Sequence, residues 1–249
     1  MMFKDLFELK GYCSIITGAA QGLGKYMAMA LAELGSNIII GDINYEKAIE
    51  AAKNIEELGV KVLPVKVDVR DKKQVENMID ITLKNFSIID VLVNNAGITK
   101  LTNAENMNYS DWMEVIDTNL NAVFLVSQLV GRIMIKQNKG SIINISSMSG
   151  IIANHPQGQA AYNSSKAGVI MLTKSLASEW ARYNIRVNTI APGYMKIGVA
   201  EKYFREKNEM TKRWISLIPM GRPGEPSELG GIAIYLASEA SSYVTVVYL

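Results

Sequence analysis

Short, β-rich apolar runs alternate with amphipathic segments of helical period along the whole of this 249-residue chain, and few folds accept that alternation. Strands without polar alternation are the kind that a protein covers on both faces, and strands alternating with helices are repeated βαβ units that build a parallel sheet. The runs lie at 12–17, 37–42, 61–67, 91–94, 141–146 and 186–190. Helical periodicity fills the gaps near 22–34, 45–58, 71–86, 111–137, 160–183 and 226–238, with Asp71, Ser110 and Pro226 as helix starts. The expectation is an α/β fold: a doubly wound, mainly parallel Rossmann-type sheet of about seven strands with helices on both faces. The seventh strand would come from the apolar tail Val244 to Leu249. No linker, repeat or low-complexity tract interrupts the pattern, so residues 1–249 are expected to form a single domain.

The charge balance narrows the partners. A net charge of +2 with no block of like charge gives no basis for nucleic acid or an acidic membrane, which leaves a small molecule. Cys13 is the only cysteine, so no intramolecular disulfide is possible, and no Cys/His cluster offers a metal site. Acids and lysines break up Met1 to Lys10, where a signal peptide needs an apolar core, and no later run is read as reaching transmembrane length. A soluble, cytoplasmic protein is expected.

The first apolar run leads into Thr17-Gly18-Ala19-Ala20-Gln21-Gly22-Leu23-Gly24, a turn with little side-chain bulk that opens a helix. There backbone amides can approach a pyrophosphate, and the helix N-terminus favours its charge. Asp42 ends the second run, where a carboxylate can accept hydrogen bonds from adenosine ribose hydroxyls and repel a 2′-phosphate. With no arginine beside Asp42, electrostatics favour NAD over NADP, and Lys25 and Lys47 are the nearest cations that weaken this preference. Asp68-Val69 after the third run and Asn94-Asn95-Ala96-Gly97 after the fourth would line the same crevice; Asp68 alternatively caps a helix.

Tyr162 and Lys166 stand at i, i+4 in A-A-Y-N-S-S-K-A-G, on one face of a helix, so a fixed ammonium can favour the phenolate over the phenol. With the serines of N-I-S-S-M-S-G upstream and the glycine-rich turn near the N-terminus, the pair points to a nicotinamide-dependent oxidoreductase.

From about Leu9 to Val244 the sequence resembles the short-chain dehydrogenase/reductase family in its common 250-residue form. The resemblance is carried, in order, by T-G-A-A-Q-G-L-G, Asp42, Asp68-Val69, N-N-A-G, Asn119 within D-T-N-L, and S-S…Y-N-S-S-K followed by Ala191-Pro192-Gly193. It implies that Asn119, Ser147, Tyr162 and Lys166 act together. Tyr162 would exchange the substrate oxygen's proton, Lys166 would lower its pKa and bind the nicotinamide ribose, and Ser147 would hydrogen-bond the developing oxyanion. Asn119 would kink its helix and help to hold a proton-relaying water, and Pro192 and Gly193 would border the cofactor. Ser149 remains an alternative occupant for the serine role. His155, the only histidine, is read as a loop or substrate-rim residue.

The loop from Ser147 to Tyr162 and N-N-A-G-I-T-K resemble the branch acting on sugar alcohols and ketoses. Asn154, Gln157 and Gln159 would offer a neutral rim for hydroxyl groups, or merely fix the loop. A gluconate-type dehydrogenase or a 3-oxoacyl carrier-protein reductase would instead want cations, for which Lys100, Lys196 and Lys202 are candidates; a catalytically silent dinucleotide-binding protein is the non-enzyme alternative. The aromatic-rich segment 193–224 reads as a substrate lid.

Two departures stand out. Ile197 occupies the place of a threonine expected to bind the nicotinamide carboxamide, which removes a hydrogen bond unless a backbone amide or Lys196 substitutes. The tail V-T-V-V-Y-L replaces a glycine-containing strand, which counts against the family's homotetramer and leaves a homodimer or homotetramer open.

Overall fold

The computed structural model describes residues 2–198, 201, 204–205 and 209–247. In chain order the elements are β1 (Cys13–Thr17), α1 (Gly22–Glu33), β2 (Asn37–Asp42), α2 (Tyr45–Glu56), β3 (Val62–Lys66), α3 (Lys72–Phe86), β4 (Val91–Asn94), α4 (Tyr109–Ile116), α5 (Ala122–Gln137), β5 (Gly140–Ile145), α6 (Ala160–Trp180), β6 (Ile185–Ile190), α7 (Glu209–Leu217) and α8 (Gly230–Ala237). The sheet runs β3-β2-β1-β4-β5-β6, with every neighbouring pair parallel.

Strand periodicity explains why the runs are apolar at every position. Ile16, Ile38, Ile40, Val91 and Val93 point into a core made with Met27 and Leu31 of α1, Ile55 of α2 and Leu236 of α8. Their sequence neighbours Ile15, Ile39 and Leu92 point the other way, into a second core with Met78 of α3, Val130 of α5 and Leu176 of α6. Each layer of helices thus buries one side of the same strands, and burial of such side chains contributes roughly 1.5–3 kcal/mol apiece.

The helix starts follow local chemistry. Asp71 accepts from the backbone N–H of Lys73 and Gln74 and caps α3. The periodic segment near 111–137 begins slightly earlier than expected, at Tyr109, and is interrupted by a π turn, Asp117–Asn121, between α4 and α5. Together these form one helix, Tyr109–Gln137, which is long and apolar enough to cross a membrane by length and composition, with a mean hydropathy of 1.3 over its most apolar 18-residue window. That corrects the expectation that no run reaches such a length. Half of that window is buried, and α5 packs against α3 and α6 beneath the sheet, where a core helix must be apolar.

The sheet has six strands among the described residues, rather than about seven. The tail does reach β6: Val246 N–H donates to Val187 O at 3.1 Å, and Val247 O accepts from Thr189 N–H at 2.8 Å. Val246, however, holds φ at +71°, in the left-handed region that a β-branched residue avoids. Side chains complete the contact instead, Thr245 Oγ1 accepting from Val187 N–H and Asn188 Oδ1 from Val247 N–H.

Strand order reverses direction between β1 and β4. Loops leaving the C-terminal ends of these two strands diverge to opposite faces, which opens a crevice there.

Candidate active site

Two connected hollows lie along that edge. A groove of about 500 Å³ runs over the ends of β1, β2 and β3. A cavity of about 390 Å³ lies beside the ends of β4 and β5, and Leu23, Asn95, Gly97 and Ile98 border both.

In the groove, the turn after β1 is shaped by glycine. Gly18 has φ +65°, and a Cβ there would stand 2.8 Å from Ala96 Cα, so the β1 and β4 loops can touch only without a side chain. Thr17 locks the contact, its Oγ1 accepting from the N–H of Asn95 at 3.0 Å and of Ala96 at 3.2 Å. Asn95 returns two bonds from Nδ2, to Thr17 O and Gly18 O. No side chain caps the N-terminus of α1, so its first amides and its positive dipole end are left for an anion at Gln21, Gly22 and Leu23, which line the groove. Gly24 lines neither hollow. It is buried one residue further into α1 and packs against Asn95 and Gly18.

Asp42 lies at the end of β2 on the groove wall, with Oδ2 accepting from Ala20 N–H at 3.0 Å and Oδ1 from Asn44 N–H at 2.9 Å. Asp68 and Val69 line the far side. Asp68 is not a helix cap, since Asp71 caps α3; it holds Arg70 instead through Nε and Nη2, and that hydrogen bonding keeps its carboxyl below the usual carboxylate range. Arg70, the residue that follows the Asp68-Val69 pair, also lines the groove and was not singled out from sequence.

The cavity contains Ser147, Tyr162, Lys166, Pro192 and Gly193. The three clustered serines separate by partner. Ser146 Oγ donates to Lys166 O at 2.7 Å, Ser149 Oγ accepts from Gln159 Nε2 at 3.2 Å, and Ser147 hydrogen-bonds with the Tyr162 phenol while its Oγ accepts from Ser149 N–H. Lys166 is buried beneath the tyrosine. Its Nζ lies 5.6 Å from the Tyr162 ring centroid and donates to Ile145 O at 2.7 Å.

Burial dominates both pKa values. It pushes Tyr162 above its usual 10.0, opposed by the Ser147 hydrogen bond, and brings Lys166 down from 10.5 to about 8. Sequence spacing placed the ammonium correctly beside the phenol. What it missed is that the same seclusion makes each charged form unfavourable.

Asn119 lies in the π turn and lines neither hollow. Its Oδ1 accepts from Ile98 N–H at 2.8 Å, and its Nδ2 donates to Ile98 O at 2.9 Å and Ser165 Oγ at 3.1 Å. The side-chain amide therefore ties the β4 loop to α6 and has no donor left over for a water.

The rim amides of the sequence reading are largely engaged with the protein. Gln157 Oε1 accepts from Trp214 Nε1–H at 3.2 Å, Asn154 Nδ2 donates to Tyr194 Oη at 3.3 Å, and Gln159 Nε2 donates to the side-chain oxygens of Asn154 and Asn163. Trp214 and Tyr194 stack, with centroids 4.7 Å apart and planes 19° from parallel, and both face the cavity. The aromatic content of segment 193–224 was visible in sequence; this pairing was not. Mutual backbone bonds of Tyr194, Lys196 and Gly224 close the base of the segment.

His155 is exposed and away from the cavity lining. Lys100 is paired with Asp111 and Glu114, and Lys196 with Glu225. Lys202 lies outside the described residues. Among the described residues, Lys166 is the only cation in the cavity wall, and no group of histidines, cysteines and carboxylates could hold a metal ion.

A family model described as enoyl-(acyl carrier protein) reductase, of the short-chain alcohol dehydrogenase type, matches residues 18–249. The chain belongs to the short-chain dehydrogenase/reductase family. It is 44% identical to a 3-oxoacyl-[acyl-carrier-protein] reductase of Thermotoga maritima, across 96% of this chain and 95% of the relative. It is 41% identical to an NADP-dependent mannitol dehydrogenase of Alternaria alternata, across 97% and 91%. A solved structure of NAD⁺-bound xylitol dehydrogenase superposes with a TM-score of 0.91 at 33% identity, covering 97% of each chain.

As a short-chain dehydrogenase/reductase the protein is an oxidoreductase acting on alcohol and carbonyl groups with an NAD(P) cofactor. The residues fit that group: an uncapped helix N-terminus and a glycine cradle suit a pyrophosphate, and Asp42 at the end of β2 suits a ribose.

Proposed function

We propose that the protein interconverts a sugar alcohol and its ketose with NAD(H), using Ser147, Tyr162 and Lys166 as catalytic residues and Asn119 as the residue that positions them. The carrying observation is the junction itself. A serine–tyrosine–lysine set meets the end of a nucleotide groove inside a cavity whose described wall is neutral apart from Lys166.

Gly18, Gln21, Gly22, Leu23, Asn95, Ala96 and Gly97 would hold the dinucleotide with Asp42, Asp68, Val69, Pro192 and Gly193, and Gly24 would keep the turn close to β4. When bound, the nicotinamide accepts or supplies the hydride at the carbinol carbon. In oxidation Tyr162, as phenolate, takes the hydroxyl proton while the C–O bond becomes a carbonyl; in reduction the phenol returns that proton to the oxygen. Ser147 donates to the same oxygen and steadies its negative charge. Lys166 holds a positive charge beneath the phenol and so offsets the burial that opposes the phenolate.

Neutrality favours the polyol over a sugar acid, which needs a cation beside its carboxylate. Lys100 and Lys196, already committed to carboxylates, argue against an acidic carrier protein at the mouth. Asp42 favours NAD, because its carboxylate faces the place of a 2′-phosphate. A panel of ketoses, gluconates and acetoacetyl thioesters followed by NADH absorbance tests the reading; highest kcat/KM on the thioester, or on a gluconate, overturns it.

A further inference from the structure

Lys47, in the first turn of α2, reaches back to the groove rim, where its Nζ donates to Gln21 Oε1 at 2.8 Å. The contact belongs to a closed circuit. Asp42 accepts from the N–H of Ala20, the neighbour of Gln21, and from the N–H of Asn44, while the Asn44 side chain caps α2 by accepting from Lys47 N–H. A carboxylate and an ammonium are thereby held at one corner of the nucleotide groove, although they do not form an ion pair with each other.

The ammonium's partner here is neutral. Arg70, Lys100 and Lys196 are each tied to carboxylates, whereas Lys47 is held by an exposed amide oxygen. A phosphate oxygen forms a stronger, charge-assisted bond than an amide oxygen, and the flexible lysine stem lets Nζ exchange one for the other.

We propose that Lys47 is a specificity-determining residue of the nucleotide site. It leaves Gln21 to receive a 2′-phosphate and gives the protein NADP(H) as a second, weaker dinucleotide despite the repulsion from Asp42. The inference rests on Asp42 meeting the adenosine ribose, and it places the cation on a helix after the second strand rather than inside the glycine-rich turn.

Dissociation constants for NADH and NADPH on the full chain, read by nucleotide fluorescence at low and high salt, test it without any substrate. Lys47→Gln is expected to weaken NADPH binding about fivefold, the scale of one exposed charge contact, and to leave NADH within about twofold, which also reports that the variant is folded. Wild-type NADPH affinity should fall more steeply with salt than NADH affinity, and in Lys47→Gln the two slopes should converge. Lys47→Arg should retain NADPH binding. Undetectable NADPH binding by the wild type, or unchanged NADPH affinity and salt slope in Lys47→Gln, overturns the proposal. Tighter wild-type binding of NADPH than NADH would instead overturn the NAD preference ascribed to Asp42, and Lys47→Gln would still decide the role of Lys47.

Discussion

Lys166 holds its ammonium 5.6 Å from the centre of the Tyr162 ring, one turn further along α6, and gives a hydrogen bond to the Ile145 carbonyl at the end of β5. The helix and the strand end together place a positive charge under a phenol. Because both groups are secluded from water, each is pushed toward its neutral form, Tyr162 upward and Lys166 down to about 8.

Tyr162→Phe removes the exchangeable proton and keeps the ring. Turnover should fall by a factor of about 10²–10⁴, the range for losing a general acid–base, while the NADH dissociation constant changes by less than about twofold. Turnover near the wild-type rate would reject the assigned proton carrier.

With Tyr162 held above its ordinary value, the phenol stays protonated through neutral pH. Alcohol oxidation, which needs the phenolate, should therefore accelerate as pH rises, whereas carbonyl reduction should stay level until alkaline pH. Lys166→Met should move the rising limb of oxidation to higher pH. Profiles of kcat/KM against pH in both directions are the measurement.

The same lysine makes stability depend on pH. Its folded value, about 8, lies below the ordinary 10.5, so between these limits the unfolded chain binds more protons. The penalty of burying the ammonium is fully present below about pH 8 and is relieved toward pH 10.5, with a span of roughly 3 kcal/mol by linkage. Urea denaturation at both limits should show wild type gaining on Lys166→Met as pH rises; a constant difference would contradict the buried-ammonium picture.

Trp214 is 4% exposed, stacks on Tyr194 and lies edge-on to Phe204 at 5.9 Å. Trp214→Leu should raise KM for the preferred carbonyl substrate about tenfold or more, with NADH affinity unchanged, because the altered wall borders the cavity and not the groove. Truncating so large a buried ring should also destabilise the protein, by about 3–5 kcal/mol for the alanine variant, measured by thermal or urea unfolding.

Val246 carries a β-branched side chain at φ +71° and is 41% exposed, so its packing contributes little against the backbone strain. Val246→Gly should raise stability by up to about 1 kcal/mol, the relief of strain being partly offset by the greater freedom of glycine when unfolded. A loss of stability in urea would show that the side chain's contacts outweigh the strain.

Sequence alone determined the six strands of the sheet, the helices between them and the glycine-rich turn, because continuous apolar runs, period-3.6 patterning and the lack of side chains near Gly18 act over a few residues. It also put Tyr162 and Lys166 on one helix face, a consequence of helical pitch. Tertiary structure alone decided which serine meets the phenol, since Ser146, Ser147 and Ser149 differ only in which distant groups, Lys166 O, Tyr162 or Gln159, come within reach. It also decided that Asn154 and Gln157 hold the aromatics Tyr194 and Trp214, that Asn119 is spent on Ile98 and Ser165, and that Val246 breaks a seventh strand. Above all it set the balance between burial and charge at Tyr162 and Lys166, because desolvation depends on every element packed around a group and leaves no mark on the spacing of two residues.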